Sequence, residues 1–114
     1  MRELFKVWPS RMDDTDVRKV LSIAQQQTAT EATVFSSTAA SPSIRNCTIR
    51  WLDDDWIRDL MWGYVQQANQ SAFGVDIQRQ CEIQVTEYRA KYGAHYAWHH
   101  DVNWNGQAGV DRKL

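Results

Sequence analysis

All three histidines of the chain fall within one short run, "YGAHYAWHHDVNW", residues 92 to 104, alongside two of its four tyrosines and two of its six tryptophans. Within that run His99 and Asp101 are spaced two apart. In an extended strand over residues 96 to 102, a period of two turns both to one side and His100 to the other. One imidazole nitrogen and one carboxylate oxygen then meet at a single point, a mixed donor pair that iron(II), manganese and zinc all accept. Taken alone, His-x-Asp is a weak signal, because two common polar residues often fall at that spacing. Its plain structural reading makes His99 a hydrogen-bonded strand histidine and Asp101 the cap of a turn into "NWNGQAG". Tyr88, Tyr96 and Trp98 add hydroxyl donors and an aromatic wall near the same point, which suits a small carboxylate ligand beside a metal.

The elements that must position these residues can be read upstream. "ELFKVW" predicts a short strand closed by Pro9 and Ser10. Asp13, Asp14 and Thr15 supply capping oxygens for a first helix, along which Val17, Val20, Leu21 and Ala24 recur at helical spacing. Residues 25 to 43 turn polar, with "TEATVF" as one candidate strand within a surface connection. "SIRNCTIRWL" predicts a strand that runs into the acidic cap Asp53 to Asp55. A second helix from about Asp54 to Ala72 presents Trp56, Ile57, Leu60, Met61, Tyr64, Val65 and Ala68 on one broad face, assigned to packing, and Gly74 ends it. "CEIQVTEY" alternates as a two-faced strand. Gly93 then permits a turn or a close backbone approach.

Composition bounds the function. With 114 residues, 43% apolar and 24% charged, the chain reads as a single globular domain over 1–114. Thirteen basic against fourteen acidic residues leave a formal charge of -1, which argues against a nucleic-acid surface or an electrostatic membrane anchor. No apolar run approaches the roughly 20 residues needed to span a bilayer, and no signal-peptide core opens the chain. A cytoplasmic, intracellular location is the expectation. Cys47 and Cys81 lack CxxC spacing and are expected as buried reduced thiols.

The run from Gly93 to Asp101 reads G-x-x-Y-x-W-H-x-D and resembles the proximal iron motif of Fe(II)/2-oxoglutarate-dependent dioxygenases, more narrowly the prolyl 4-hydroxylase and PKHD-type hydroxylase branch. The resemblance implies that His99 and Asp101 are two of three protein ligands of a facial triad, with His100 as spacer. It places Tyr88, at the end of the preceding strand, on the cosubstrate, and Tyr96 on the motif's second tyrosine. Tyr92 competes for the cosubstrate contact, because the gap from Tyr88 to Gly93 is slightly longer than the family's. The implied fold is α+β, with N-terminal helices packed on the first strands of a double-stranded β-helix, a jelly-roll or cupin-like barrel. Specific motif content is confined to about residues 88 to 114.

The family also needs a second iron-binding histidine and a basic anchor for the far carboxylate of 2-oxoglutarate, both on later strands. Arg112 and Lys113 precede any such histidine and do not fit the anchor role. His95 as third ligand would lie more than about 12 Å along an extended strand from His99. The expectation is therefore a truncated barrel, an N-terminal portion that carries half of an iron site and is inactive alone. Dimerisation or a complementing C-terminal segment would cover its exposed strand edges.

For the complete enzyme the resemblance implies Fe(II) as cofactor, 2-oxoglutarate as cosubstrate, ascorbate as an accessory, and a peptide or protein substrate. The reaction is oxidative decarboxylation to succinate coupled to hydroxylation of an unactivated carbon, with peptidyl proline as the favoured target. Trp98 and Trp104 are candidate walls of the site. Two competing readings are a non-catalytic binding module with a degenerate motif, and a zinc site built from His95, His99, His100 and Asp101.

Overall fold

In the computed structural model, which describes residues 2–32 and 43–101, two capped helices lie against a small antiparallel sheet. The first, α1 (Asp14–Gln25), starts where the Asp13 carboxylate accepts from the Asp16 N–H at 2.8 Å. That bond satisfies one of the backbone donors that every helix start leaves open. The buried stripe is Val20, Ile23 and Ala24, rotated from the expected one, and it leaves Val17 and Leu21 largely exposed.

The second helix, α2 (Asp55–Ala68), is capped in the same way by Asp54, whose carboxylate accepts from the Ile57 N–H at 2.9 Å. Arg58 reaches back to Asp53 and Asp55 and ties the acidic run to the first turn. After Ala68 the helix widens into a π turn, Asn69–Phe73, and stops at Gly74, whose φ of 60° is the left-handed conformation that glycine adopts without strain. The Asn69 side chain closes this end. Its amide donates to the Val75 carbonyl at 2.7 Å and its oxygen accepts from the Val75 N–H at 2.9 Å. The periodic stretch expected up to Ala72 is thus helical throughout, with the ladder shifting by one residue near its end.

The strands are β1 (Thr30–Glu31), β2 (Arg45–Asn46), β3 (Thr48–Leu52), β4 (Ile83–Glu87) and β5 (His95–Tyr96). One sheet has the order β1-β3-β4 and the other pairs β2 with β5, all antiparallel. The single strand expected over "SIRNCTIRWL" is therefore two. At Cys47 the chain leaves one sheet and enters the other, and this break lets Arg45 and Asn46 receive the later segment His95–Tyr96. "TEATVF" enters the sheet as β1 through Thr30 and Glu31, and its later residues lie outside the described ones.

Register decides what each face carries. Leu52 lies opposite Ile83 and Arg50 opposite Val85, and opposed residues in an antiparallel pair point to the same side. Leu52, Ile83 and Val85 pack with Ala24, Ile57, Val20 and Met61. Full burial of a side chain such as Ile57 contributes about 1.5–3 kcal/mol. The other face presents Ile49, Trp51, Gln84 and Thr86. Ile49 joins Ala32 and Cys47 in a small second cluster, whereas Trp51 is half exposed. Both cysteines are free thiols, Cys47 buried and Cys81 half-buried.

The architecture is α+β, with the helices on the first strands as expected, and the described strands form small open sheets without a closed barrel. The strand expected over "ELFKVW" does not form. Glu3 N–H donates to the Ala72 carbonyl at 2.9 Å, Trp8 meets Tyr64, and Leu4, Phe5 and Val7 stay exposed. This segment lies along the end of α2, where none of the described strands offers it a ladder to join. Among the described residues no helix is long and apolar enough to cross a membrane.

Candidate metal centre

The chain reaches the centre through two turns. After β4, a 3-10 turn at Ala90–Tyr92 ends on Gly93, with φ of 63°, and the chain reverses into β5. Asn46 steadies this corner by donating from its side chain to the Tyr92 carbonyl at 2.9 Å. β5 pairs Tyr96 with Arg45 and His95 with Asn46, and the Ala97 N–H adds one bond to the Ile44 carbonyl at 2.8 Å.

Beyond Ala97 the chain bends at Trp98 instead of continuing as the strand expected over residues 96 to 102. Two contacts of His99 account for the bend. Its Nδ1 lies 2.7 Å from the Ala97 carbonyl oxygen, and its ring stacks on Tyr96 with centroids 3.6 Å apart and planes 11° from parallel. In an extended strand, residues three apart sit about 10 Å from each other on opposite faces, so this stack requires the fold-back. A side chain that bonds nearby backbone competes with the ladder in this way.

The bend brings the expected pair together. His99 Nε2 lies 3.6 Å from Asp101 Oδ1. Because the Ala97 carbonyl can only accept, Nδ1 carries the proton in the neutral ring, and Nε2 keeps its lone pair on the side of the carboxylate. A carbonyl acceptor on the far nitrogen is the usual way a metal-binding histidine is oriented. His99 Nε2 and Asp101 Oδ1 are the atoms that would hold a metal, as one nitrogen and one oxygen donor.

The donor set fits two positions of a metal centre. No cluster of three His, Cys, Asp or Glu side chains suited to a metal forms among the described residues. His95 is not a third ligand. Its Nδ1 lies 2.9 Å from the Gly93 carbonyl oxygen and its Nε2 3.3 Å from that of Ser43, so both nitrogens are turned to backbone acceptors. These two carbonyls, Gly93 first, raise its pKa against a smaller opposing effect of burial.

The tyrosines separate. Tyr96 is part of the centre itself. Tyr88 is half exposed, but its hydroxyl end turns against the Cys47 thiol and the Arg45 guanidinium. Desolvation there pushes the phenol pKa up, Cys47 adds to the rise, and Arg45 opposes it. Tyr92 instead lines a cavity of about 350 Å³ with Arg50, Glu87 and Arg89. In that cavity the guanidinium of Arg89, and then that of Arg50, hold the Glu87 carboxyl below its usual range. Trp98 is fully exposed and forms no wall among the described residues. Trp104, Arg112 and Lys113 lie outside those residues.

Arg45 was not singled out from the sequence. Its guanidinium carbon lies 4.6 Å from the centroid of the Tyr96 ring, and its Nη2 donates to Gln84 Oε1 at 2.6 Å. No local pattern marks it, because its partners lie about forty to fifty residues further along the chain.

Comparison with known proteins leaves the chain without a match among family models, curated proteins or solved structures.

Proposed function

We propose that this chain carries the His-x-Asp half of the iron site of an Fe(II)- and 2-oxoglutarate-dependent dioxygenase that hydroxylates an unactivated carbon, with peptidyl proline as the favoured substrate. The observation that supports this most is the convergence of His99 Nε2 and Asp101 Oδ1 while Nδ1 of the same ring is bonded to the Ala97 carbonyl. An imidazole held in one tautomer, beside a carboxylate two residues on, supports reading the two as a pair of ligands. The face of the β1-β3-β4 sheet opposite the helices carries Gln84, which holds Arg45 next to Tyr96. In a double-stranded β-helix this face would become the barrel interior, and the jelly-roll architecture is proposed on that basis.

Bound iron, with 2-oxoglutarate and dioxygen, supplies the oxidising power for hydroxylation. The residues of this chain orient and hold. His99 presents a lone pair in a set direction, Asp101 supplies negative charge beside it, and Tyr96 shields one face of the imidazole from water. The Tyr88 hydroxyl, which lies against the Cys47 thiol and the Arg45 guanidinium, is the proposed donor to the cosubstrate. The second histidine and the carboxylate anchor that the resemblance assigns to later strands are not among the described residues.

A zinc centre is the second reading, because zinc accepts the same pair of one imidazole nitrogen and one carboxylate oxygen. The test is anaerobic titration with Fe(II) and 2-oxoglutarate, followed by measurement of succinate with proline-containing peptides. The oxygenase reading expects a 2-oxoglutarate-dependent absorption band and succinate formation, both lost in His99→Ala. Retention of one equivalent of zinc, with no spectral response to iron and 2-oxoglutarate, would sink it.

A further inference from the structure

We propose that Arg45 is a positioning residue for the His99–Asp101 centre, acting through a three-layer stack in which the guanidinium, the Tyr96 ring and the His99 imidazole lie one upon another. This rests on the reading that His99 and Asp101 hold a metal.

The stack follows from strand pairing. Arg45 and Tyr96 are direct partners in the β2-β5 ladder, so their side chains leave the sheet on the same side. The imidazole covers one face of the Tyr96 ring at 3.6 Å and nearly parallel, which leaves the other face for the guanidinium, 4.6 Å from the same centroid. A cation over an aromatic face is attracted by the ring quadrupole. Tyr96 is thereby held between two planar groups, and the plane of His99 follows from the plane of Tyr96.

Arg45 is itself anchored. Its Nη2 donates to Gln84 Oε1 at 2.6 Å, and the same oxygen accepts from the Thr86 hydroxyl at 3.1 Å. Gln84 and Thr86 belong to β4, in the three-stranded sheet. The guanidinium therefore transmits the position of the larger sheet to the imidazole, across a two-stranded pair too short to be rigid by itself. At the other edge of the imidazole the Ala97 carbonyl selects the tautomer. One contact sets the ring plane and the other sets which nitrogen is free, and together they define the direction of the Nε2 lone pair.

Arginine suits this role and lysine does not. A planar guanidinium can stack on a ring and donate in its own plane to Gln84 at once, whereas an ammonium is a point charge with no plane to impose. Loss of an outer partner of a metal-binding histidine typically weakens metal affinity about 10–100-fold.

The experiment measures Co(II) binding and its visible ligand-field spectrum, the ring-nitrogen NMR signals of His99 without metal, and the thermal melt, for wild type and variants. Arg45→Lys, Arg45→Ala and Tyr96→Leu are expected to weaken Co(II) binding about 10–100-fold and, because a ring free to rotate leaves the Ala97 carbonyl, to move the His99 nitrogens toward a mixture of tautomers. Tyr96→Phe, which keeps an aromatic face for both neighbours, should lose clearly less Co(II) affinity than Tyr96→Leu. Arg45→Lys combined with Tyr96→Leu should be no worse than Tyr96→Leu alone, since both act through one stack. Folded Arg45 variants with unchanged affinity, spectrum and nitrogen signals would overturn the proposal, as would strictly additive losses in the double variant. If Arg45→Ala does not fold, Arg45→Lys and Gln84→Leu decide the matter by the same readings. If wild type takes up no Co(II), the metal reading fails, and the tautomer signals of the metal-free protein still decide whether Arg45 orients His99.

Discussion

His99 Nε2 and Asp101 Oδ1 face each other across 3.6 Å. That distance is too long for a hydrogen bond and short enough for one metal ion to bridge both atoms. The Ala97 carbonyl at 2.7 Å from Nδ1 keeps the facing nitrogen unprotonated in the neutral ring. The separation of roles among the three histidines follows from these contacts. His99 turns Nε2 toward Asp101, His95 is turned to backbone carbonyls, and His100 sits between His99 and Asp101 in sequence.

Removal of either donor should abolish metal binding. His99→Ala and Asp101→Ala are each expected to take Fe(II) or Co(II) affinity below detection in an anaerobic titration, because a single protein donor is left. His100→Ala should retain wild-type affinity to within a few-fold. Equal loss from all three substitutions would show that the metal is held in another way.

Ile57 is fully buried between α1, α2 and the sheet. Ile57→Ala should cost about 2–5 kcal/mol, since it removes apolar contact and leaves a cavity. Chemical denaturation followed by circular dichroism measures this. A change below about 1 kcal/mol would mean that the helix packing is not the main core.

Asp54 caps α2 through the Ile57 N–H at 2.9 Å. Asp54→Ala should destabilise the fold by about 0.5–2 kcal/mol, and Asp54→Ser should recover most of the loss. The comparison of the two melts separates capping from the general effect of removing a negative charge near the helix start.

His95 should make stability depend on pH. Its folded pKa is raised, chiefly by the Gly93 carbonyl and then by that of Ser43, so the folded state holds this proton more tightly than the unfolded chain does. The contribution is fully present below the unfolded value of about 6.5 and fades as pH rises through the higher folded value. The stability difference between wild type and His95→Ala should therefore be larger at about pH 5.5 than at about pH 8. A difference that does not vary with pH, or that grows toward alkaline pH, would contradict the two-carbonyl arrangement.

What the sequence determined by itself was local. The capping groups Asp13 to Thr15 and Asp53 to Asp55, the broad apolar face from Trp56 to Ala68, the stop at Gly74, the strand within "CEIQVTEY" and the turn at Gly93 all rest on residues within a few positions of one another. The proposal of His99 and Asp101 as a pair likewise rests on a spacing of two that is visible without a fold. Tertiary structure decided the rest. The break at Cys47 depends on two sheets competing for one segment, and "ELFKVW" is held along the end of α2, away from the described strands. The same holds for Arg45, whose partners Gln84 and Tyr96 are brought to it only by β4 and β5. Even the approach of His99 to Asp101 comes from a bend rather than from the expected strand, because stacking on Tyr96 and a bond to the Ala97 carbonyl replace the ladder there. Short-range hydrogen bonding and periodicity are written along the chain, whereas the partner a side chain stacks on depends on which strands pair, and that is settled only when the sheet forms.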